Sequence, residues 1–162
     1  DTAGARNGIK VAFVEDIRWG RRDIKTVQLL APSMCKMAAR AQGADDAWMV
    51  EDDHVTEGTS NNAYIVTKSG TIVTRNLSNS ILHGITRAAV LRLAAEAQMK
   101  VEERPFTPEE ARDAAEAFVT AASSFVQPVV EIDGVTLGDG TPGPVAKRLR
   151  EIYIAEARAK AV

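Results

Sequence analysis

Four polar segments of this chain hold side chains that could do chemistry. They are RWGRRDIK at 18–25, VTEGTSNN at 55–62, LHGITR at 82–87 and TAASS at 120–124. Together they bring an amine, a carboxylate and several hydroxyls, which are groups that act as nucleophiles and proton carriers. Each follows a predicted strand or precedes a predicted helix, and loops at such places are where sites are usually built. We therefore treat these segments as the candidate site.

Taken one at a time, these residues have ordinary structural explanations. A lone lysine such as Lys25 is usually a solvated surface charge, and Glu57 before a glycine is often a turn residue. The triplet Gly84-Ile85-Thr86 could simply cap a helix, and Ser123 and Ser124 could be strand-end hydroxyls. No single motif names a function, so the order and spacing of the segments must decide.

The hydrophobic pattern predicts strands that alternate with helices. Strands are expected at 9–14, 47–51, 63–67, 71–74, 101–104, 117–120, 126–132 and 135–137. Helices are expected at 26–42 (or from about 31, because of Pro32), at 86–99 with Thr86 as N-cap, after the capping box at 107–110, and at 145–159. Residues 1–8 and most of 51–62 are expected to be loop. Hairpin turns among the strands favour a mixed sheet wrapped by helices, an α/β (α+β) fold, in one domain covering 1–162.

Composition excludes several classes of function. The chain has 162 residues, 45% of them hydrophobic, and a net charge of −2 with acidic and basic residues mixed. It has no basic stripe and no long apolar run, so we expect neither nucleic acid nor a membrane as partner. A single cysteine, Cys35, suggests a reducing, cytoplasmic location. With only two histidines and one cysteine at no ligand spacing, we expect no metal site.

The segments taken together resemble the class IV aminotransferases, most of all the D-amino-acid aminotransferases. The resemblance is carried by RWGRRDIKTVQLL, VTEGTSNNAYIV, ILHGITR and FVTAASSFVQPVVEIDG, and it covers essentially the whole chain. It implies a partly barrel-like sheet wrapped by helices, which is the large C-terminal domain of the family. It also implies pyridoxal 5′-phosphate (PLP) as cofactor, bound between this domain and a small N-terminal domain that the chain lacks.

The resemblance assigns the catalytic amine and the partner of the cofactor ring. The lysine of the D-I-K segment, Lys25, would form the Schiff base with PLP and carry the proton during the reaction. Glu57 would pair with the protonated pyridine nitrogen, so that the ring can accept electrons. Arg18 resembles a family arginine that orients and neutralises this glutamate.

The remaining site residues are expected around the phosphate and the ring. Gly84, Ile85 and Thr86 would bind the phosphate with backbone amides and a hydroxyl at a helix N-terminus. A second phosphate contact aligns with Ala122 and Ser123. Two further residues complete the expected set: Leu82 would pack on the ring face, and Ser60 would line the cofactor.

The function implied by the resemblance is transamination of an amino acid, preferentially a D-amino acid, with a 2-oxo acid such as 2-oxoglutarate. The alternatives are elimination of the aminodeoxychorismate-lyase type, and branched-chain or R-selective amine transamination. A third, non-enzymatic possibility is a folded fragment that binds PLP poorly, because the small domain supplies a phosphate-binding arginine in the family. The expected partners are these substrates, the missing N-terminal domain and a second copy in a homodimer.

Overall fold

The apolar runs predicted to be strands all join one mixed sheet in the computed structural model, which describes residues 2–161. The strands are β1 Ile9–Glu15, β2 Asp46–Glu51, β3 His54–Gly58, β4 Asn62–Val66, β5 Ile72–Thr74, β6 Val101–Glu103, β7 Glu116–Ala121, β8 Phe125–Ile132 and β9 Val135–Thr136. The helices are α1 Ala3–Asn7, α2 Leu30–Ala41, α3 Ile85–Glu96, α4 Pro108–Arg112 and α5 Pro144–Lys160. Asp1 and Val162 lie outside the described residues.

The sheet has the strand order β3-β2-β1-β8-β7-β4-β5-β6, with β9 paired to β8. Strand β1 runs parallel to β2 and β8, and β5 runs parallel to β6, while the other pairs are antiparallel. Two contacts show that the sheet curls. Strand β3, at one end of this order, contacts β4. It is also linked to the segment after β6, because the Val55 amide donates to the Phe106 carbonyl at 3.0 Å. The prediction of a mixed, partly barrel-like sheet is therefore confirmed.

Apolar side chains fill both faces of the curled sheet. The largest cluster lies inside the curl around Trp48, Phe106 and Val119, all of them fully buried. A second cluster, with the stacked rings of Tyr64 and Phe118, lies beneath α3 and α5. Helix α2 covers β1 and β2 with Cys35 and Ala39. Burial on both faces makes the sheet a rigid support for the loops at its edge.

Strand β3 is the largest departure from the sequence prediction, which placed most of residues 51–62 in a loop. The chain turns through Asp52 and Asp53, both at positive φ (49° and 58°), and returns antiparallel to β2. Such a two-residue turn suits the twist of a hairpin. Four of the five β3 residues are buried although two of them, Thr56 and Glu57, are polar. Because β3 contains these polar residues, the hydrophobic pattern of the sequence did not predict the hairpin.

Two predictions at helix starts are also wrong. Residues 3–7 form the short helix α1, capped by the Thr2 side chain and ended by Gly8 at φ 79°, where a loop was expected. Helix α3 has Gly84, and not Thr86, as its N-cap, so Thr86 lies inside the first turn. By contrast, the capping box of α4 is present as predicted, with Thr107 and Glu110 each bonding the other's backbone. In the described part of the chain, no helix has the length and apolar character needed to cross a membrane.

Candidate active site

The four polar segments meet around one cavity of about 1200 Å³. The curl of the sheet brings together the loop after β1, the end of β3, the segment before α3 and the end of β7. Nine of the ten predicted site residues line this cavity: Arg18, Lys25, Glu57, Ser60, Leu82, Gly84, Ile85, Thr86 and Ala122. The exception is Ser123, which is exposed in the turn between β7 and β8. At Ser123 the chain has turned away from the cavity. The residues of this segment that line the cavity are Thr120, Ala121 and Ala122.

Glu57 is the buried acid of the cavity, with only 3% of its surface exposed. Its carboxylate accepts hydrogen bonds from Arg18 (2.6 Å), from the Asn62 side chain (2.8 Å) and from the Leu82 amide (3.1 Å to each oxygen). Burial raises the pKa of Glu57 above its ordinary value, while the Arg18 guanidinium and the Leu82 amide oppose the rise. The carboxylate is therefore held in place by donors on three sides.

Arg18 is held in place by a second carboxylate. Its Nε and one terminal nitrogen donate to Asp16 at 2.9 and 2.7 Å, and its other terminal nitrogen donates to Glu57. Asp16 in turn accepts from the Thr56 hydroxyl at 2.6 Å. Although burial acts in the opposite direction, the hydrogen bonds and charges of its partners hold the pKa of Asp16 below its ordinary value. The predicted contact between Arg18 and Glu57 is present.

Asn62 joins the acid to the segment that leads into α3. Its side-chain nitrogen donates to Glu57 and to the Leu82 carbonyl, the latter at 3.0 Å. A β-carbon at Gly84 would lie 2.4 Å from the Asn62 side-chain oxygen, which is closer than real β-carbons come. The close approach explains why residue 84 is glycine.

The first turn of α3 presents donors to the cavity. The amides of Ile85 and Thr86 have no acceptor within the helix, because the first amides of a helix are left over by its geometry. The Thr86 hydroxyl is buried and has no hydrogen-bond partner among the described residues. A buried hydroxyl without a partner is costly unless a ligand completes it. An anion at this end of the cavity would satisfy the hydroxyl and the helix dipole together.

Lys25 lies in the loop between β1 and α2, with its side chain on the exposed side of the cavity wall. Two backbone hydrogen bonds fix the part of the loop that comes just before Lys25. The Arg22 amide donates to the Asn79 carbonyl at 2.9 Å, and the Ile24 amide donates to the Arg21 carbonyl at 3.1 Å. Lys25 lines the same cavity as Glu57 and Thr86.

These residues fit PLP at three separate points. A buried carboxylate suits a protonated ring nitrogen, an unpartnered hydroxyl with free amides suits a phosphate, and a lysine amine suits an aldehyde. The fit rests on Glu57, Thr86 and Lys25 respectively. Across residues 2–161, no group of three or more histidine, cysteine, aspartate or glutamate side chains could hold a metal. The expectation that the protein needs no metal stays a prediction.

Sequence reasoning did not assign roles to three residues that position Glu57, namely Asp16, Thr56 and Asn62. Thr56 and Asn62 lie within the VTEGTSNN segment, so the motif pointed to their neighbourhood. Asp16 directly follows the apolar run of β1 and turns back onto Arg18 two residues later. An acid two residues before an arginine is a common pattern, and only the fold reveals the contact.

Comparison with known proteins agrees with this geometry. The family model for amino-transferase class IV matches residues 4–132. A D-alanine aminotransferase of Bacillus licheniformis is 41% identical over 145 residues, which are 90% of this chain and 51% of that protein. A second, of Staphylococcus haemolyticus, is 42% identical over the same shares. The chain spans about half the length of the curated relatives it matches.

Solved structures give the same result. The branched-chain amino acid aminotransferase of Escherichia coli matches with a TM-score of 0.86 and 27% identity, over 95% of this chain and 53% of that one. The branched-chain enzyme of Thermobaculum terrenum, solved in its PLP form, matches with a TM-score of 0.85 and 26% identity, over 94% of this chain and 52% of that one. The family match, the relatives and the fold agree, and the chain belongs to the class IV aminotransferases.

Proposed function

We propose that the protein is a PLP-dependent aminotransferase that moves an amino group from an amino acid, preferentially a D-amino acid, to a 2-oxo acid such as 2-oxoglutarate. The observation that carries this proposal is that Lys25 and Glu57, which lie on separate segments of the chain, line one cavity. An amine and a buried carboxylate at the same cavity are what this cofactor requires.

The residues of this chain divide the work between them. PLP, when bound, supplies the electron sink that stabilises negative charge on the substrate Cα. Lys25 would hold the cofactor through its aldehyde carbon and would move a proton between the substrate Cα and cofactor C4′. Glu57 keeps the ring nitrogen protonated, and Thr86 with the amides of α3 binds the phosphate. Leu82, which is half-buried and lines the same cavity as Glu57, would pack on the ring.

Similarity favours a D-amino acid as the substrate. The D-alanine aminotransferases are about 40% identical to this chain, whereas the branched-chain enzymes among the solved structures are 26–31% identical. Branched-chain transamination, R-selective amine transamination and lyase-type elimination use the same cofactor and remain the alternatives. The choice among these reactions depends on the side chains that surround the substrate. This chain, which spans about half the length of its relatives, does not supply all of those side chains by itself.

The partners proposed for this chain are a second copy in a homodimer and an N-terminal small domain of the same protein. Exposed apolar side chains at the mouth of the cavity support the proposal that another protein segment covers it. Val27 is 94% exposed, Leu30 76% and Leu29 60%. Apolar groups at this density on one surface are typical of an interface. We also propose a cytoplasmic location, which rests on the single buried Cys35.

The cofactor test is reduction of the intact protein with borohydride after incubation with PLP. We expect an absorbance band from lysine-bound PLP, and a phosphopyridoxyl group on the peptide that contains Lys25 after reduction. Lys25→Ala should abolish both, whereas Lys147→Ala, which changes an exposed lysine of α5, should change neither. Labelling at another lysine would overturn the assignment.

The substrate test is incubation with D-alanine and 2-oxoglutarate. Formation of glutamate and pyruvate supports the proposal, and activity with L-leucine in place of D-alanine would favour the branched-chain alternative. Pyruvate release from a chorismate-derived amine, without glutamate formation, would favour the lyase.

A further inference from the structure

A chain of charges leads from Glu51 through Arg22, Asp16 and Arg18 to Glu57 at the cavity. Asp16 contacts both Arg18 and Arg22, the latter at 3.5 Å. Arg18 continues to Glu57, and Arg22 continues to Glu51 at 2.7 and 2.8 Å. When all are ionised, three carboxylates face two guanidiniums, so the array carries one negative charge in excess. Of the two acids at the ends of the array, Glu51 is partly exposed to solvent and Glu57 lines the cavity, where a bound cation would pair with it.

Asp16 is the fixed point of this array. Its side chain is fully buried, and its backbone amide donates to the Val50 carbonyl of β2 at 2.8 Å. The carboxylate accepts from the Thr56 hydroxyl and, through both oxygens, from Arg18. A guanidinium that donates to one carboxylate through two of its nitrogens has a fixed plane, because its donors form a rigid fork. The two N–H bonds of its remaining nitrogen then have fixed directions, and Glu57 accepts from that nitrogen.

We propose that Asp16 is a positioning residue for the cofactor's ring nitrogen, acting through Arg18 on Glu57, with Thr56 holding Asp16. This inference rests on the proposed function. Asp16 touches neither cofactor nor substrate, and it does not line the cavity. Its effect is to keep Arg18 from turning fully onto Glu57, so that the Glu57 carboxylate keeps an oxygen directed at the ring nitrogen.

The test compares PLP with an analogue in which a C–H group replaces the ring nitrogen. Both would be titrated into the intact protein, and binding would be followed by tryptophan emission, because Trp19 lies in the cavity wall. The wild-type protein should prefer PLP over the analogue. In Asp16→Asn this preference should fall about tenfold, the size of a one-unit change in a pKa. Affinity for the analogue should change little, since it offers no charge at that position.

Two further variants keep the test decisive. Thr56→Val removes the hydroxyl donor to Asp16 and keeps the shape of the side chain, so it should lower the preference in the same direction but less. This variant replaces Asp16→Asn if the latter fails to fold. Asp113→Asn is the control, because Asp113 pairs with Lys68 in an ion pair that is mostly exposed and lies outside the cavity; its preference should equal the wild type's.

The outcomes separate this inference from the function on which it rests. Equal weakening of PLP and analogue in Asp16→Asn and Thr56→Val would mean that Asp16 is only a structural anchor, and would overturn the inference while leaving the function intact. A wild-type protein that bound PLP with no preference over the analogue would overturn the role of Glu57. A wild-type protein that bound no PLP at all would overturn the proposed function itself.

Discussion

The side chain of Asn62 occupies the space that a β-carbon on residue 84 would need. Its oxygen lies 2.4 Å from that position, while its nitrogen is bonded to Glu57 and to the Leu82 carbonyl. Glu57 and the start of α3, which are the proposed partners of the ring nitrogen and the phosphate, are therefore spaced by one amide side chain. Two ends of the proposed cofactor site are thus coupled through Asn62 and Gly84.

The first prediction concerns Gly84→Ala. The added methyl group must displace either the Asn62 side chain, which would break its bonds, or the start of α3. We expect the free energy of unfolding to fall by about 1–3 kcal/mol, as is usual for overpacking, together with weaker PLP binding. Chemical denaturation and a PLP titration measure the two effects.

The control for that prediction is Gly20→Ala. A β-carbon at Gly20 meets nothing within 4 Å, so its effect on stability should stay within about 0.5 kcal/mol. If Gly84→Ala proved as stable as Gly20→Ala, the Asn62 side chain would have to be free to move despite its hydrogen bonds. The coupling between the two ends of the site would then be absent.

The second prediction concerns Thr86→Val and has opposite signs for stability and binding. The Thr86 hydroxyl is buried and unpartnered in the described structure, so its removal should leave the free energy of unfolding unchanged or raise it by up to about 1 kcal/mol. PLP affinity should fall about tenfold or more, because a hydrogen bond to a charged phosphate is lost. Thermal unfolding without cofactor and a PLP titration give the two values.

Thr74→Val is the matched control for the hydroxyl. Thr74 is equally buried, but its hydroxyl donates to the Ala63 carbonyl at 2.8 Å and lies outside the cavity. This variant should therefore lose about 0.5–1.5 kcal/mol of stability and bind PLP normally. A stability loss of the same size in Thr86→Val would show that its hydroxyl already has a partner in the protein.

Much of the fold followed from hydrophobic periodicity, because the strands on either side of the core and the helices α2, α3 and α5 carry clear patterns. The hairpin of β2 and β3 did not, since its turn is made by two aspartates in the left-handed conformation and its strand contains Thr56 and Glu57. Those polar groups are buried because they belong to the site. The sequence pattern therefore failed where function had replaced apolar residues.

The candidate site, like the fold, could be predicted from the sequence only in part. The resemblance carried by the four segments singled out Lys25, Glu57 and the start of α3, and the fold brings these to one cavity. The contacts that support them join positions far apart in the chain, such as Thr56 with Asp16 and Asn62 with Leu82. These pairs join a strand to a loop that is distant in the sequence, and periodicity contains no information about which strands and loops meet.

The third prediction is the pH dependence of stability in Asp16→Asn. The pKa of Asp16 lies below its ordinary value of 3.8, so its ionised form stabilises the folded state above that pH, and the contribution is lost as the pH falls through the lower folded-state pKa. At neutral pH, Asp16→Asn should be less stable than the wild type by about 3 kcal/mol, because the buried Arg22 and the partly buried Arg18 lose a shared anion. Unfolding free energies measured at several pH values test this.

The difference between Asp16→Asn and the wild type should narrow as the pH falls below about 4, because Asp16 is then protonated first in the unfolded wild-type chain and only at a lower pH in the folded one, whereas the Asn side chain does not titrate. Asp113→Asn should cost less than about 1 kcal/mol at neutral pH, since that ion pair is exposed to solvent and screened. A stability difference for Asp16→Asn that did not change between neutral and acidic pH would mean that the loss comes from altered packing. The charge of Asp16 would then not be what holds Arg18 against Glu57.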